Sequence, residues 1–132
     1  MFFRSLILLF IISPNLCFGL SEQCTSQNMN EEFDNNSKLL AAESDSVFTV
    51  WEVVVPTKIQ KVELSTLHLK KIEDDRIVLL AALDKKNRDD YTTALISISN
   101  SHLNGYVITA TYVVKPVYPD SCIYHYEIRI GT

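Results

Sequence analysis

Glycine is scarce in this chain, and the scarcity removes whole classes of chemistry. There are three, Gly19, Gly105 and Gly131, so no glycine-rich loop can cradle a phosphate and no Gly-x-Ser-x-Gly turn can present a nucleophilic serine. Cysteine is equally sparse. Cys17, Cys24 and Cys122 form no Cys-x-x-Cys pair, and His68, His102 and His125 lie far apart in sequence. Neither pattern has metal-ligand spacing, so no metal and no cofactor are expected. Positive charge is in deficit, with 12 Lys and Arg against 16 Asp and Glu and a net charge of −4. The basic pairs Lys70-Lys71 and Lys85-Lys86 both have acids close by. Nucleic-acid binding rests on neutralising phosphates with a basic surface, and this balance argues against it.

Long apolar runs are missing too, except at the start. Met1-Phe2-Phe3-Arg4 leads into the apolar stretch 6–12, Ser13-Pro14-Asn15 interrupts it, and Cys17-Phe18-Gly19 offers small residues around a cleavage point. One basic residue, a short apolar core and a small-x-small exit predict a secretory signal peptide over residues 1–19, with cleavage after Ser21 as a second option. The run is too short to span a bilayer, and no later one is long enough, so a secreted chain without membrane association is expected. Removing residues 1–19 leaves 113 residues with a net charge of −5, which is one domain with room for a modest core.

Processing at either site leaves two cysteines, Cys24 and Cys122, in an oxidising compartment, and an intramolecular disulfide between them is expected. It would close almost the whole domain and contribute about 4–5 kcal/mol in the chain-entropy model. Two free thiols or a disulfide-linked dimer are the alternatives; a monomer is the expectation. Two cysteines are too few for a disulfide scaffold, so apolar packing must hold the fold.

Residues 20–30 are polar and unpatterned. Asn35-Asn36-Ser37 is an N-x-Ser acceptor for glycosylation at Asn35. The good helix formers Lys-Leu-Leu-Ala-Ala-Glu over 38–43, with Ser37 as a cap, predict a short helix between residues 31 and 44. From residue 47 the chain turns to β. Residues 47–55 are β-branched and aromatic on both faces around Trp51, which predicts an interior strand ended by Pro56. Residues 59–72 change phase, with Val62 and Leu64 on one parity and Leu67 and Leu69 on the other. That predicts a bulge near Ser65-Thr66.

Residues 77–83 are continuously apolar, which periodicity alone cannot assign; their length and the charges around them favour a strand over a helix. Residues 84–90 read as a solvated loop. In 91–99, Ala94, Ile96 and Ile98 alternate with Thr93, Ser97 and Ser99, and Asn104-Gly105 is the strongest turn signal. Two strands, 106–115 and 122–130, complete the chain. In the last, Tyr124, Tyr126, Ile128 and Ile130 share a face, opposite His125, Glu127 and Arg129.

Short links between strands require antiparallel pairing. The expected fold is mainly β: a single antiparallel sandwich or small barrel of about six strands, with an arm and short helix over 20–46 and strands over 47–132. The alternative is α+β, one helix packed on a curved antiparallel sheet.

Candidate function follows from few residues. His125, Glu127 and Arg129 stand ~6.5–7 Å apart in steps of two along one strand face and could supply base, acid and cation for phosphodiester cleavage; they equally describe an ordinary polar face. The tyrosines of the strands, Tyr106, Tyr112, Tyr124 and Tyr126, are phased with the apolar side and expected in the core. Tyr118, with Pro116, Val117 and Pro119, lies in the connection between the last two strands and is the expected partner-binding loop. Gln60-Lys61-Val62-Glu63-Leu64, followed by Thr66-Leu67-His68-Leu69-Lys70, resembles the middle of the cystatins. In that family a Gln-x-Val-x-Gly hairpin enters the cleft of cysteine proteases; here Leu64 stands in place of the glycine and no Pro-Trp pair follows. The overall plan also resembles small secreted effector proteins of pathogens and parasites. With no catalytic constellation, the expectation is a secreted, non-enzymatic binding protein acting on an extracellular or host protein. A cystatin-like inhibitor, a small nuclease or a carrier of an apolar ligand are the alternatives.

Overall fold

Strict alternation along most of the chain builds two antiparallel sheets whose apolar faces meet. A computed structural model describes residues 27–114 and 122–131. In chain order these form a helix, α1 (Gln27–Asn36), and the strands β1 (Lys38–Ser44), β2 (Phe48–Pro56), β3 (Lys58–Ile59), β4 (Val62–Glu73), β5 (Arg76–Ala82), β6 (Lys86–Asn87), β7 (Tyr91–Ser99), β8 (Tyr106–Val113) and β9 (Ile123–Arg129). The first sheet has the order β1-β2-β7-β6. The second has the order β3-β4-β8-β9, with β5 also paired to β4. This is the expected mainly β sandwich with a short helix; the one-sheet alternative is not what forms.

The sheets interlock through the inward residues of each strand. Val53 and Val55 of β2 and Ala94, Ile96 and Ile98 of β7 face Leu67 of β4, Ile108, Ala110 and Tyr112 of β8, and Tyr126 of β9, all buried. Burying each of the larger side chains contributes about 1.5–3 kcal/mol. The helix adds Met29 and Phe33, one turn apart on its inner face. It packs on β2 and β3, where the chain crosses between sheets. Phe33 stacks on Tyr126 at 4.6 Å and meets the edge of Tyr112 at 6.1 Å. The tyrosines expected in the core are there: Tyr112 and Tyr126 are buried, and Tyr106 and Tyr124 pack partly buried against the core cluster.

Two expectations need correction. The helix lies at Gln27–Asn36, and the segment 38–43 read as helical belongs to β1. Strands therefore begin at residue 38 rather than 47. The cause is tertiary: β2 pairs with β7 on one edge, its other edge presents unpaired backbone N–H and C=O groups, and β1 satisfies them from Lys38↔Val54 to Ser44↔Thr49. Helix propensity is a weak prior against a full row of backbone hydrogen bonds. Among the described residues the strand count is nine rather than about six, because β1 and the two-residue β3 and β6 are added.

Turn chemistry explains why residues 59–72 are not one strand. Gln60 and Lys61 take positive φ of 49° and 74°, and Asp74 and Asp75 take 51° and 61°. Both pairs form tight two-residue hairpins that glycine or asparagine would ordinarily occupy. The expected bulge is present, as the β4–β8 register slips between Leu64 and Thr66. At Gly105 (φ +89°) a Cβ would stand 2.6 Å from the Ile72 carbonyl oxygen, so only glycine fits the turn.

Candidate functional site

Among the described residues, those singled out from the sequence do not converge on one site. His125, Glu127 and Arg129 are exposed on the outer face of the second sheet. His125 Nδ1 lies 3.0 Å from Thr111 Oγ1, and Glu127 sits 3.9 Å from Lys70 Nζ. The first is a contact across the row Thr111↔His125 to the neighbouring strand β8, the second reaches over β8 to β4, and both leave the three side chains separate along β9. Among the described residues no group of three His, Cys, Asp or Glu could hold a metal ion. Cys122 is disulfide-bonded; Cys24 lies outside the described residues, as does the signal segment. The loop of Pro116, Val117, Tyr118 and Pro119 also falls outside them. Asn35 is exposed in the last turn of α1.

The hairpin implied by the cystatin resemblance has a different tip. Gln60 and Lys61 make the turn, while Val62 and Leu64 already lie in β4 and pack against the core. A wedge built on Val62 would have to leave that packing.

A concave surface exists elsewhere, on the outer face of the first sheet. It has a volume of about 750 Å³. Leu40 of β1, Val54 and Pro56 of β2 and Tyr91 of β7 form its apolar floor. The ladder rows dictate this grouping: Leu40 stands beside Glu52, Lys38 beside Val54, and Pro56 beside Tyr91. The last turn of α1 makes one wall with Glu32, Asn35 and Asn36, and Thr57, Lys58, Asp89 and Asp90 line the groove as well. Asn36 Nδ2 donates to the Glu32 carbonyl at 2.8 Å and so ties off the helix end beside the groove. Thr57 N donates to the Asp90 carbonyl at 3.1 Å, joining the β2–β3 crossing to the loop before β7.

Charge is uneven in this groove. Glu32, Glu52, Asp89 and Asp90 contribute four carboxylates against the ammonium groups of Lys38 and Lys58. Lys58 is shared with Glu63, 3.9 Å away. An apolar floor with an excess of carboxylates suits a chain segment that brings aliphatic and basic side chains together. Sequence reasoning missed this site because it placed Leu40 on a helix. The available signal was Glu52 and Val54 on the outward parity of β2, next to the exposed Tyr91.

A second unusual surface is β5, whose seven residues are all exposed. Comparison with protein-family models, with curated proteins and with solved structures returns no match.

Proposed function

We propose that this is a secreted, non-enzymatic binding protein that takes a segment of a protein partner into the groove on its first sheet. The observation that carries the reading is the groove itself: Leu40, Val54, Pro56 and Tyr91 give a floor of apolar surface under a rim with four carboxylates. Concave apolar sites with a few oriented polar groups are where proteins bind. Tyr91 remains 47% exposed, and tyrosine combines large contact area with low ordering cost at binding sites. Secretion, the internal disulfide between Cys24 and Cys122, and action on an extracellular or host protein belong to the same proposal, on the strength of the N-terminal segment and the cysteine count.

Chemistry in the groove supports binding over turnover. Its titratable groups are four carboxylates, two lysines and the Tyr91 phenol, with no histidine, cysteine or serine in the lining. The carboxylate excess selects for basic partners and makes association sensitive to salt.

The test compares the processed protein with Tyr91→Ala and Leu40→Asp in capture from extracellular fluid or from a displayed library of extracellular proteins. A specific partner that is retained by the parent, lost by both variants and weakened by added salt is expected. Retention by both variants would remove the groove from the proposal. The intact mass of the secreted protein offers a second check, because a glycan on Asn35 would stand over the groove and exclude the partner. Cleavage of RNA or DNA by the purified protein, abolished in His125→Ala, would overturn the non-enzymatic reading.

A further inference from the structure

Sheet edges are normally blunted, because unpaired N–H and C=O groups invite another strand. Most edges here follow that rule. The β1 edge carries Lys38 and Glu43 and a register slip between Ala41 and Glu43. The β9 edge carries His125, Glu127 and Arg129. β3 and β6 are two residues long.

β5 does not follow it. Its interior reads Ile-Val-Leu-Leu-Ala-Ala, with neither proline nor charge. Ile77 is 57% exposed, Val78 52%, Leu79 41% and Leu80 62%. Among the described residues β5 pairs only with β4, so its other edge is open. Leu69↔Ala81 and Lys71↔Leu79 place Ala81 and Leu79 on the inner side of the sheet, and Leu80 and Ala82 fall on the outer side with Lys70 and His68. Both sides are exposed.

The backbone phase of the open edge can be read from one bond. Leu83 N donates to Leu67 O at 2.9 Å. Along an antiparallel ladder hydrogen-bonded pairs alternate with non-bonded ones, so Ala81 and Leu79 also face β4. Leu80 and Ala82 turn their N–H and C=O groups outward. Val78 is the extra residue where the register slips opposite Lys71 and Ile72, and it has no partner on β4.

The ends of the strand say what pairs there. Asp74-Asp75 precede Arg76, and Asp84 and Lys85-Lys86 follow Leu83. An antiparallel copy of the same strand, with the two-fold axis at Leu80, sets Leu80 against Leu80, Leu79 against Ala81, Val78 against Ala82, Ile77 against Leu83 and Arg76 against Asp84. The outward-facing Leu80 groups then bond each other across the axis. Centring the axis on Leu79 instead sets Asp74 against Asp84. Centring it on Ala81 sets Arg76 against Lys86. Only the Leu80 register matches apolar to apolar and cation to anion.

We infer that β5 is the seam of a two-fold homodimer, in which the open edges of two copies pair antiparallel about Leu80 and Arg76 of each copy meets Asp84 of the other. The surface is self-complementary, as a two-fold interface must be. None of the residues lining the groove belongs to β5, so the inference stands independently of the proposed partner site.

Sedimentation analysis of the processed, oxidised protein over a dilution series tests it. A non-covalent dimer that dissociates on dilution is expected. Arg76→Asp and Asp84→Arg should each weaken it by about tenfold, since two contacts are lost per dimer. The double variant R76D/D84R should return to within about threefold of the parent. Leu80→Lys should be monomeric. Circular dichroism of each variant checks folding, and the exposed Arg76 and Asp84 keep the test available if Leu80→Lys fails to fold. A protein that stays monomeric at every concentration overturns the inference. So does a dimer held by a disulfide on a non-reducing gel, or a double variant no better than the single ones.

Discussion

Two tyrosines in contact should respond in opposite ways to loss of the same atom. Tyr112 and Tyr126 lie with ring centroids 5.7 Å apart, and both rings pack on Phe33. Tyr112 is 0% exposed, and its hydroxyl donates to the Pro56 carbonyl at 2.6 Å. Tyr112→Phe keeps the ring and removes that donor, so the cost is the hydrogen bond plus a buried carbonyl stripped of a partner, about 1–3 kcal/mol. The bond also holds the end of β2 to β8, across the two sheets. The Tyr126 hydroxyl is buried with no hydrogen-bond partner among the described residues. Tyr126→Phe removes a desolvated polar atom and should be neutral or stabilising by up to about 1 kcal/mol. The two variants should therefore differ by about 2 kcal/mol, or roughly 6–10 °C in Tm for a domain of this size. Thermal unfolding by circular dichroism and urea titration, with unchanged m-values, would measure this. If Tyr126→Phe costs as much as Tyr112→Phe, the account of the core is refuted.

Three further outcomes follow from the same geometry. Burial first, and then the neighbouring Tyr126, push the Tyr112 phenol well above its ordinary value of 10.0. The fold thus favours the neutral phenol. Its full contribution should be present below pH ~10 and fall as the unfolded chain ionises above it, and Tyr112→Phe should flatten that alkaline loss. Asp45 accepts from Phe48 N at 2.8 Å and Val47 N at 2.7 Å, and these bonds, Phe48 first, hold its carboxyl below its ordinary value. The turn between β1 and β2 should therefore weaken as the pH falls below about 4 through the depressed value, and hydrogen exchange on β1 should lose this acid-dependent step in Asp45→Ala. Lys61→Gly should stabilise the protein by about 0.5–1 kcal/mol in urea titration, because Lys61 holds φ 74°, where glycine carries no Cβ strain.

Most strands were legible because each has one wet face. β7 and β9 alternate so regularly that their inward residues could be named from the chain alone, and the parity change at Ser65 located the β4 bulge. Errors arose where local preference and tertiary demand disagree. The residues of β1 favour a helix in isolation and pair as a strand because β2 needs a second neighbour. Gln60-Lys61 carries no asparagine or glycine, so the hairpin between β3 and β4 left no mark in the sequence. The groove was invisible for a related reason: its floor draws on three strands and its wall on a helix, and one of those strands was misassigned. Residues 77–83 were ambiguous in another way, since a continuous apolar run suggests burial on both faces, whereas β5 is exposed on both.

That exposure bears on what the sheet is built for. The strand that follows β5 across the sandwich, β6, is two residues long and too short to cover it, and among the described residues no other strand pairs with its open edge, so a second copy would bury apolar surface that these residues leave exposed. Left open, such an edge is an aggregation hazard. Glu73-Asp74-Asp75 before it and Asp84-Lys85-Lys86 after it limit the alternatives, because they penalise every sliding register except the one that sets opposite charges together. Among the described residues each copy offers one edge of this kind, so pairing through it stops at two. A dimer closed in this way would carry two partner grooves on one rigid body. Binding at the second would then occur at the high effective concentration set by the first, so Leu80→Lys should weaken capture by a multivalent surface more than by a monovalent partner.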